Sequence, residues 1–360
     1  MMLQQSFWRN RRVLVTGHTG FKGTWLSLWL KSLGAQVSGY SDNVPTSPSH
    51  FDLSRIAERL EHDFRADIRS REELETAFRT VNPEVVFHLA AQPLVSVGYT
   101  HPLDTFEVNV NGTLEILETV RQRRTPLILI VVTSDKCYAP GSVLGLRESD
   151  PLGGVDPYSA SKSLVELLCS SYRDSFFRNS SSEGIRLATV RAGNVIGGGD
   201  WAANRLLPDA ARQISAGQPL VLRNPDAVRP WQHVLEPLLG YLKLAEAMGS
   251  DVGGDFADAW NFGPQASDAI TVREVAEQFI ESWGDGRLEV DCEQTIGHET
   301  AVLRLTIDKA MSRLDWRPVL DVREAISRTA QWYRDYYRTP GMDVSSRSLS
   351  EIADFTGSIR

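Results

Sequence analysis

From the amino terminus, the chain alternates short, unbroken apolar runs with longer stretches in which apolar residues return every three or four positions. Residues 12–16 (Arg-Val-Leu-Val-Thr), 36–40, 63–67, 84–89, 126–133 and 186–191 have the first pattern and predict strands. Residues 23–33, 71–80, 103–121 and 157–177 have the second and predict helices; in the first of these Leu26, Leu30 and Leu33 share one stripe. Apolar strands separated by helices predict a parallel sheet covered on both faces. The repeated strand–helix order predicts a doubly wound α/β domain of the Rossmann type over residues 1–193.

The pattern changes after Asn194. Residues 197–201 (Gly-Gly-Gly-Asp-Trp) predict a loop, and residues 206–216, 271–283 and 322–337 predict helices set among short polar segments. We read 194–338 as a smaller, mixed α/β substrate domain, with residues 259–264 returning to the main sheet. Residues 339–360 show little periodicity and read as a polar tail, mobile or loosely docked.

Composition narrows the function. The chain has 360 residues, 42% hydrophobic and 23% charged, which fits a folded globular protein. Its net charge of −8 argues against a nucleic-acid partner. Cys137, Cys169 and Cys292 are scattered and odd in number, so neither a disulfide framework nor a metal site follows from them. The N-terminus lacks the apolar core of a signal peptide, and no apolar stretch is long enough to span a membrane. The expectation is a cytoplasmic enzyme without a bound metal and without a membrane partner.

Two motifs carry chemistry. The first strand ends in Thr16-Gly17-His18-Thr19-Gly20-Phe21-Lys22-Gly23 and opens into a helix. Glycines at 17, 20 and 23 let the backbone approach a pyrophosphate at the helix N-terminus, which points to a dinucleotide. The second strand ends in Ser41-Asp42 with no following arginine, so a 2′-phosphate has no obvious partner and NAD is favoured over NADP. Asp67 and Ile68, after the third strand, are candidates to clamp the adenine. The second motif is Tyr158-Ser-Ala-Ser-Lys162, which places a phenol and an ammonium on one helix face. A charged lysine nearby lowers the phenol's pKa, so Tyr158 can act as a base.

The glycine turn, His88-Leu-Ala-Ala-Gln92, Asn109-Val-Asn-Gly112 and Tyr158/Lys162 together resemble the extended short-chain dehydrogenase/reductases, over residues 10–335. The resemblance implies that Gly17, Thr19, Gly20, Phe21, Lys22, Gly23, Asp67, Ile68, Leu89, Ala90, Ala91, Asn109, Thr133, Tyr158 and Lys162 bind NAD. It makes Tyr158 the catalytic tyrosine, tuned by Lys162, and Ser134 the hydrogen-bond partner of the substrate hydroxyl.

After the fifth strand comes Thr133-Ser134-Asp135-Lys136-Cys137-Tyr138. The sugar-nucleotide 4,6-dehydratases of the family have Thr-Asp-Glu here, so Ser134 stands for the Thr and Lys136 for the Glu. The lysine, with the glycine turn, residues 197–201 and Arg229-Pro-Trp-Gln-His233, resembles the branch that acts on CDP-glucose. The resemblance implies that Asp135 protonates the departing 6′-hydroxyl and that Lys136 works at C5. A lysine near its ordinary pKa of about 10.4 is a poor base at neutral pH, so Lys136 either is lowered or stabilises the enolate electrostatically. A 4-epimerase would need only Ser134, Tyr158, Lys162 and NAD, and stands as the alternative; a non-catalytic dinucleotide sensor would have no use for the full set.

On the substrate side the resemblance implies contacts from Gln92, Asn194, Arg205, Leu206, Pro208, Arg229, His298 and Glu299, with Arg229 pairing the diphosphate and Trp201 nearby. Trp231 reads equally well as a core aromatic, and His18 and His88 as structural or cofactor-adjacent. The helices at 103–121 and 157–177 have apolar residues on more than one face, and the resemblance implies a homodimer, or a homotetramer, joined through them. The expected pathway is that of 6-deoxy or dideoxy sugars of a bacterial surface polysaccharide such as the lipopolysaccharide O-antigen.

Overall fold

The structure is a computed structural model that describes residues 3–123, 125–141, 145–178, 184–265, 268–291 and 304–359. Its centre is a seven-stranded sheet of β1 (Arg12–Thr16), β2 (Gln36–Ser41), β3 (His62–Arg65), β4 (Val85–His88), β5 (Leu127–Val132), β6 (Ile185–Ala192) and one late strand. Between β6 and that strand lie β7 (Asn194–Ile196), β8 (Leu220–Leu222) and β9 (Val228–His233); the late strand is β10 (Ala259–Phe262). The order across the sheet is β10-β6-β5-β4-β1-β2-β3, and every pairing is parallel.

The side-chain period of two divides each strand between two cores. Leu14, Val86, Leu127, Leu129 and Val131 point to one face, where helices Arg71–Val81, Gly112–Arg123 and Pro157–Tyr172 cover them. Val13, Val15, Val85, Phe87, Ile128 and Ile130 point to the other, against Phe21–Ser32 and Leu235–Met248. Strands buried on both sides need apolar residues at every position, which is why no alternation shows in their sequence. The chain runs outward from β1 to β2 and β3, then restarts at β4 on the other side. A crevice therefore opens at the carboxyl ends of β1 and β4, where dinucleotides bind in doubly wound sheets.

The C-terminal region adds β11 (Ala269–Thr271) and β12 (Leu288–Val290), giving a three-stranded sheet β11-β9-β7 and a two-stranded pair β12-β8. Helices Leu206–Ser215, Val272–Trp283 and Val322–Arg338 pack around them. Three expectations are refined. Besides β10, helix Leu235–Met248 returns to the main sheet. The helices expected at 103–121 and 157–177 each contain a π turn, Glu107–Asn111 and Arg173–Phe177. Residues 339–360 are not a loose tail: Val344–Gly357 is a helix, capped by Asp343. Its buried residues are Val344, Ser345, Ser348, Glu351, Ile352 and Phe355, and Phe355 meets Trp29 edge-on at 5.8 Å. Half of them are polar, so the hydrophobic signal is faint.

Candidate active site

The glycine turn closes tightly. Gly17, at φ +71°, donates its N–H to Tyr40 O at 2.8 Å, and a Cβ there would lie 2.7 Å from Ala90 N. A Cβ on Gly23 would sit 2.1 Å from Gly17 O, so only glycine lets the helix start this close to the strand end. Helix Phe21–Ser32 begins at Gly20 with no side-chain cap, which leaves its first N–H groups and positive dipole end facing the crevice. This cradle fits a pyrophosphate.

The surrounding residues divide into those that face the crevice and those that shape it. Thr19 Oγ1 donates to Asn43 O at 2.7 Å and ties the turn to the end of β2. Asp42 is exposed and accepts the N–H of Asn43 at 2.7 Å. His18 is buried, its ring between Ser41 Oγ at 3.1 Å and Asp63 Oδ1 at 2.8 Å. Asp67 has its carboxylate engaged by Arg69 at 2.6 Å. Ile68 packs on Gly112, where a Cβ would lie 2.6 Å from Ile68 Cγ2. Leu89 and Ala90 donate their N–H groups to Thr16, at 3.1 and 3.2 Å, and Ala91 follows on the same loop.

Asn109 acts inward. Its Oδ1 accepts from Gln92 N at 2.8 Å and its Nδ2 donates to Ser161 Oγ at 2.9 Å, joining the β4 loop to the tyrosine helix. The Gln92 side chain is also committed: Nε2 donates to Thr105 Oγ1 at 2.8 Å and Oε1 accepts from Leu94 N at 2.5 Å. Gln92 therefore braces its loop. His88 bridges Thr16 Oγ1 at 2.7 Å and Thr113 Oγ1 at 3.0 Å, and burial holds its imidazole neutral, down to about 3.

Beyond β5 the chain makes a short turn, Asp135–Cys137, capped by the Ser134 hydroxyl, which accepts from Lys136 N at 3.2 Å. Ser134 Oγ also donates to Asp135 Oδ1 at 3.0 Å. Ser134 and Asp135 are buried; Lys136 is half-buried, and among the described residues its ammonium has no hydrogen-bond partner. Asp135 is pressed against Gly193, where a Cβ would lie 3.3 Å from Asp135 Oδ2. The Cys137 thiol is buried and pushed up by burial, which makes it unreactive.

Helix Pro157–Tyr172 starts at Asp156, whose carboxylate accepts from Ser159 N at 3.0 Å. This fixes Tyr158 in the first turn and Lys162 one turn later. Burial raises the Tyr158 phenol to about 12, with Ser134 pulling it back. Burial lowers Lys162 to about 8, with Glu166 pulling it back. Lys162 Nζ donates to Val132 O at 3.3 Å. Lys22 is also lowered to about 8, by burial and then by the charge of Arg205, with Lys162 adding to it and Asp135 opposing. Asp135 and Arg205 act on both Lys22 and Tyr158, and Lys162 acts on Lys22, so these groups share one electrostatic neighbourhood.

From the C-terminal region, Arg205 precedes helix Leu206–Ser215 and pairs with Asp200 at 2.7 Å. Leu206 is half-buried and Pro208 buried in the first turn. Asn194, on β7, pairs in register with Trp231 on β9. Arg229 lies two residues before Trp231 and donates to Val228 O at 3.0 Å. Trp201 sits within an aromatic cluster, with Trp332 at 5.7 Å and Tyr336 at 5.2 Å, so it supports the loop as a core residue. His298 and Glu299 lie outside the described residues. Among the described residues no group of three His, Cys, Asp or Glu side chains is arranged to hold a metal, and no helix is long and apolar enough to cross a membrane.

Sequence reasoning passed over Glu166, Arg191, Asp200 and Asp63, which hold the site's other residues in place. Glu166 carried a signal, since it continues the four-residue spacing of Tyr158 and Lys162; the others depend on strand and loop placement.

Comparison with known proteins agrees with this geometry. The family model described as the NAD dependent epimerase/dehydratase family matches residues 13–258. A CDP-glucose 4,6-dehydratase of Salmonella typhimurium is 44% identical over 98% of each chain. Among solved structures, a UDP-glucose 4-epimerase of Thermus thermophilus in complex with NAD superposes with a TM-score of 0.76 at 27% identity, covering 91% of this chain and 99% of that one. A dTDP-glucose 4,6-dehydratase of Bacillus anthracis in complex with NAD has a TM-score of 0.74 at 21% identity, covering 91% and 98%, and shows the fold alone.

Proposed function

Since the chain belongs to the NAD-dependent epimerase/dehydratase family, we propose that it uses NAD to convert CDP-D-glucose to CDP-4-keto-6-deoxy-D-glucose. One observation carries this reading beyond the family: the turn that bears Ser134 also holds a buried Asp135 beside Tyr158 and a half-buried Lys136 whose ammonium has no hydrogen-bond partner among the described residues. The near full-length identity to the Salmonella enzyme supports the cytidine nucleotide.

The Gly17–Gly23 cradle and Lys162 would hold NAD, which would supply a hydride acceptor for C4 and a hydride donor for C6. Tyr158 takes the 4′-hydroxyl proton, and Ser134 hydrogen-bonds the same oxygen. Burial keeps the phenol high, and Arg205 is the cation that pulls it down; the family resemblance gives Lys162 the same role in the working state. The 4-ketone acidifies C5–H. Lys136 removes that proton or stabilises the enolate that forms, and Asp135 protonates the 6′-hydroxyl as the C6–O bond breaks, so one water leaves. A proton then returns to C5, and the net change is loss of water with no net redox change. Asn194, Arg205, Leu206, Pro208 and Arg229 bind the nucleotide diphosphate side, with guanidinium–phosphate pairs giving orientation.

Tyr99, Leu103, Leu164, Leu167 and Phe176 are exposed large apolar side chains around helices Val95–Thr100, Pro102–Phe106 and Pro157–Tyr172. They favour a homodimer joined through these helices, or a tetramer built from it. The setting we assign is cytoplasmic synthesis of 6-deoxy sugars for a surface polysaccharide.

Mass spectrometry tests the reading. Purified protein is incubated with CDP-glucose and, in parallel, with the UDP, dTDP and GDP sugars, with and without added NAD. Loss of one water from CDP-glucose is expected. Loss from a different nucleotide sugar keeps the chemistry and overturns the substrate. Unchanged mass with all of them, NAD included, overturns dehydration and leaves the epimerase.

A further inference from the structure

Beneath the site lies a buried ion pair that none of the steps above uses. Glu166 stands one turn beyond Lys162 and two beyond Tyr158, on the same helix face, and is 2% exposed. Its carboxylate takes four hydrogen bonds. Oε1 accepts from Thr133 Oγ1 at 2.5 Å and Arg191 Nε at 2.9 Å; Oε2 accepts from Thr189 Oγ1 at 2.7 Å and Arg191 Nη2 at 2.8 Å. The donors come from β6 and from Thr133, the residue that follows β5 and precedes Ser134.

Arg191 continues the connection. Its Nη1 donates to Tyr138 OH at 2.7 Å, and its guanidinium lies over the Tyr138 ring at 4.8 Å. Tyr138 follows the Asp135–Cys137 turn directly, and its hydroxyl donates to Asn261 Oδ1 on β10 at 2.7 Å. Asn261 Nδ2 in turn donates to the carbonyls of Leu146 and Thr306, at 2.9 and 3.2 Å. Both ends of the turn that carries Ser134, Asp135 and Lys136 are thus anchored to one carboxylate–guanidinium pair: through Thr133 before it and Tyr138 after it.

A buried ion pair is weak evidence for stability, because well-packed apolar residues often do as well. This one is fully hydrogen-bonded and joins the helix of Tyr158 and Lys162 to the turn of Asp135 and Lys136. We propose that Glu166 and Arg191 are positioning residues for the dehydration proposed above, with Glu166 fixing the charge of Lys162 and the pair fixing the elimination turn relative to Tyr158. The charged and titratable groups around Lys162 are Glu166 and Cys169 on its own helix, Cys137 from the turn, His88 at the end of β4 and Lys22 from helix Phe21–Ser32. Glu166 is the anion among them that favours the ammonium.

The test compares wild type, Glu166→Gln and the double variant Glu166→Gln/Arg191→Met, which leaves no unpaired buried charge. Lys162 is titrated by NMR of its labelled ammonium and side chain, a readout that needs no turnover. Dehydration of CDP-glucose is followed across pH. Both folded variants are expected to titrate Lys162 about one pH unit lower, with the alkaline limb of kcat moved the same way, kcat at pH 7 down by tenfold or more, and KM within about threefold. Glu166→Asp, which keeps the charge, should restore most of the midpoint. A wild-type Lys162 midpoint and a wild-type rate per folded molecule in either variant would overturn the proposal and leave the pair a folding element. Wild-type protein that dehydrates no sugar nucleotide overturns the assigned reaction instead, and the NMR titration still decides the Glu166–Lys162 coupling.

Discussion

The carboxylate of Asp200 receives the Arg205 guanidinium at 2.7 Å, and Arg205 is among the charges that depress Lys22 and act on Tyr158. Asp200 is itself buried. Its Oδ1 accepts from Ala202 N at 3.0 Å, and its carbonyl accepts from the Tyr333 hydroxyl. A residue of the C-terminal helix Val322–Arg338 therefore sets where a cation of the active site stands. Asp200→Asn removes the charge and keeps the shape. It is expected to raise KM for the sugar nucleotide by about tenfold, the loss of roughly one charge-assisted hydrogen bond, with a smaller effect on kcat. Steady-state kinetics with the purified variant check this.

Asp135→Asn separates the two halves of the proposed reaction. The amide keeps the packing against Gly193 but cannot give up a proton to the leaving hydroxyl. C4 oxidation should survive while water release falls by about 10²–10⁴, the usual range for a lost general acid. In a rapid-mixing experiment NADH absorbance should rise and persist. Water release at the wild-type rate would remove Asp135 from its role.

Glu236 predicts how stability depends on pH. It is buried in helix Leu235–Met248, and its carboxyl accepts from Val319 N and Leu320 N at 3.0 and 2.7 Å. Burial lifts its pKa from 4.5 to about 8. The folded state therefore holds this proton more tightly than the unfolded chain. Its contribution is complete below pH 4.5 and is lost as pH rises toward 8. Glu236→Gln should flatten that slope, so that the variant melts higher than wild type at pH 9 and close to it at pH 5. Thermal melts across pH measure it.

The docked C-terminal helix supplies the opposite sign. Glu351 lies 2.9 Å from His233 Nε2 and 2.8 Å from Arg347 Nη1. Burial pushes its carboxyl up, but its contacts with the His233 ring and the Arg347 guanidinium outweigh burial and hold it below 4.5. The stabilisation is complete above pH 4.5 and is lost as pH falls below it. Glu351→Ala removes a buried carboxylate that Arg347 contacts and should cost about 1–3 kcal/mol at neutral pH. Chemical denaturation of the variant, with the midpoint compared at pH 7 and pH 4, gives the number.

Gly198 gives a steric check on the same region. Trp25 Nε1 donates to its carbonyl at 2.9 Å, and a Cβ would lie 2.0 Å from the Trp332 ring. Gly198→Ala has to displace that ring and should destabilise the protein by about 1–3 kcal/mol, the range for overpacking. A variant with an unshifted melting temperature would show that the loop gives way instead.

The strands of the main sheet were legible because burial on both faces demands apolar residues at every position, as in Leu127–Val132. The glycine turn was legible because few backbones other than glycine close so tightly. Val344–Gly357 was missed because Ser345, Ser348 and Glu351 occupy half of its buried face; in the fold Ser348 bonds His50 and Trp332, and Glu351 lies beside His233 and Arg347. Gln92 and Asn109 read as ligand contacts, and their bonds that close the loop after β4 could not be read from the chain. An amide's partner is chosen by distance in the fold, which the residue type does not record.

The doubly wound sheet, the dinucleotide turn, and the Tyr158–Lys162 and Ser134–Lys136 sets were readable along the chain. Each of these rests on local spacing: a period of burial, a glycine position, or one helical turn. Which polar groups meet was settled by folding. Glu166 with Arg191, Asp200 with Arg205, and His233 with Glu351 are 25, 5 and 118 residues apart in the chain and lie within 3 Å in space. Electrostatic energy depends on distance and burial, and for such pairs both are set by the folded chain.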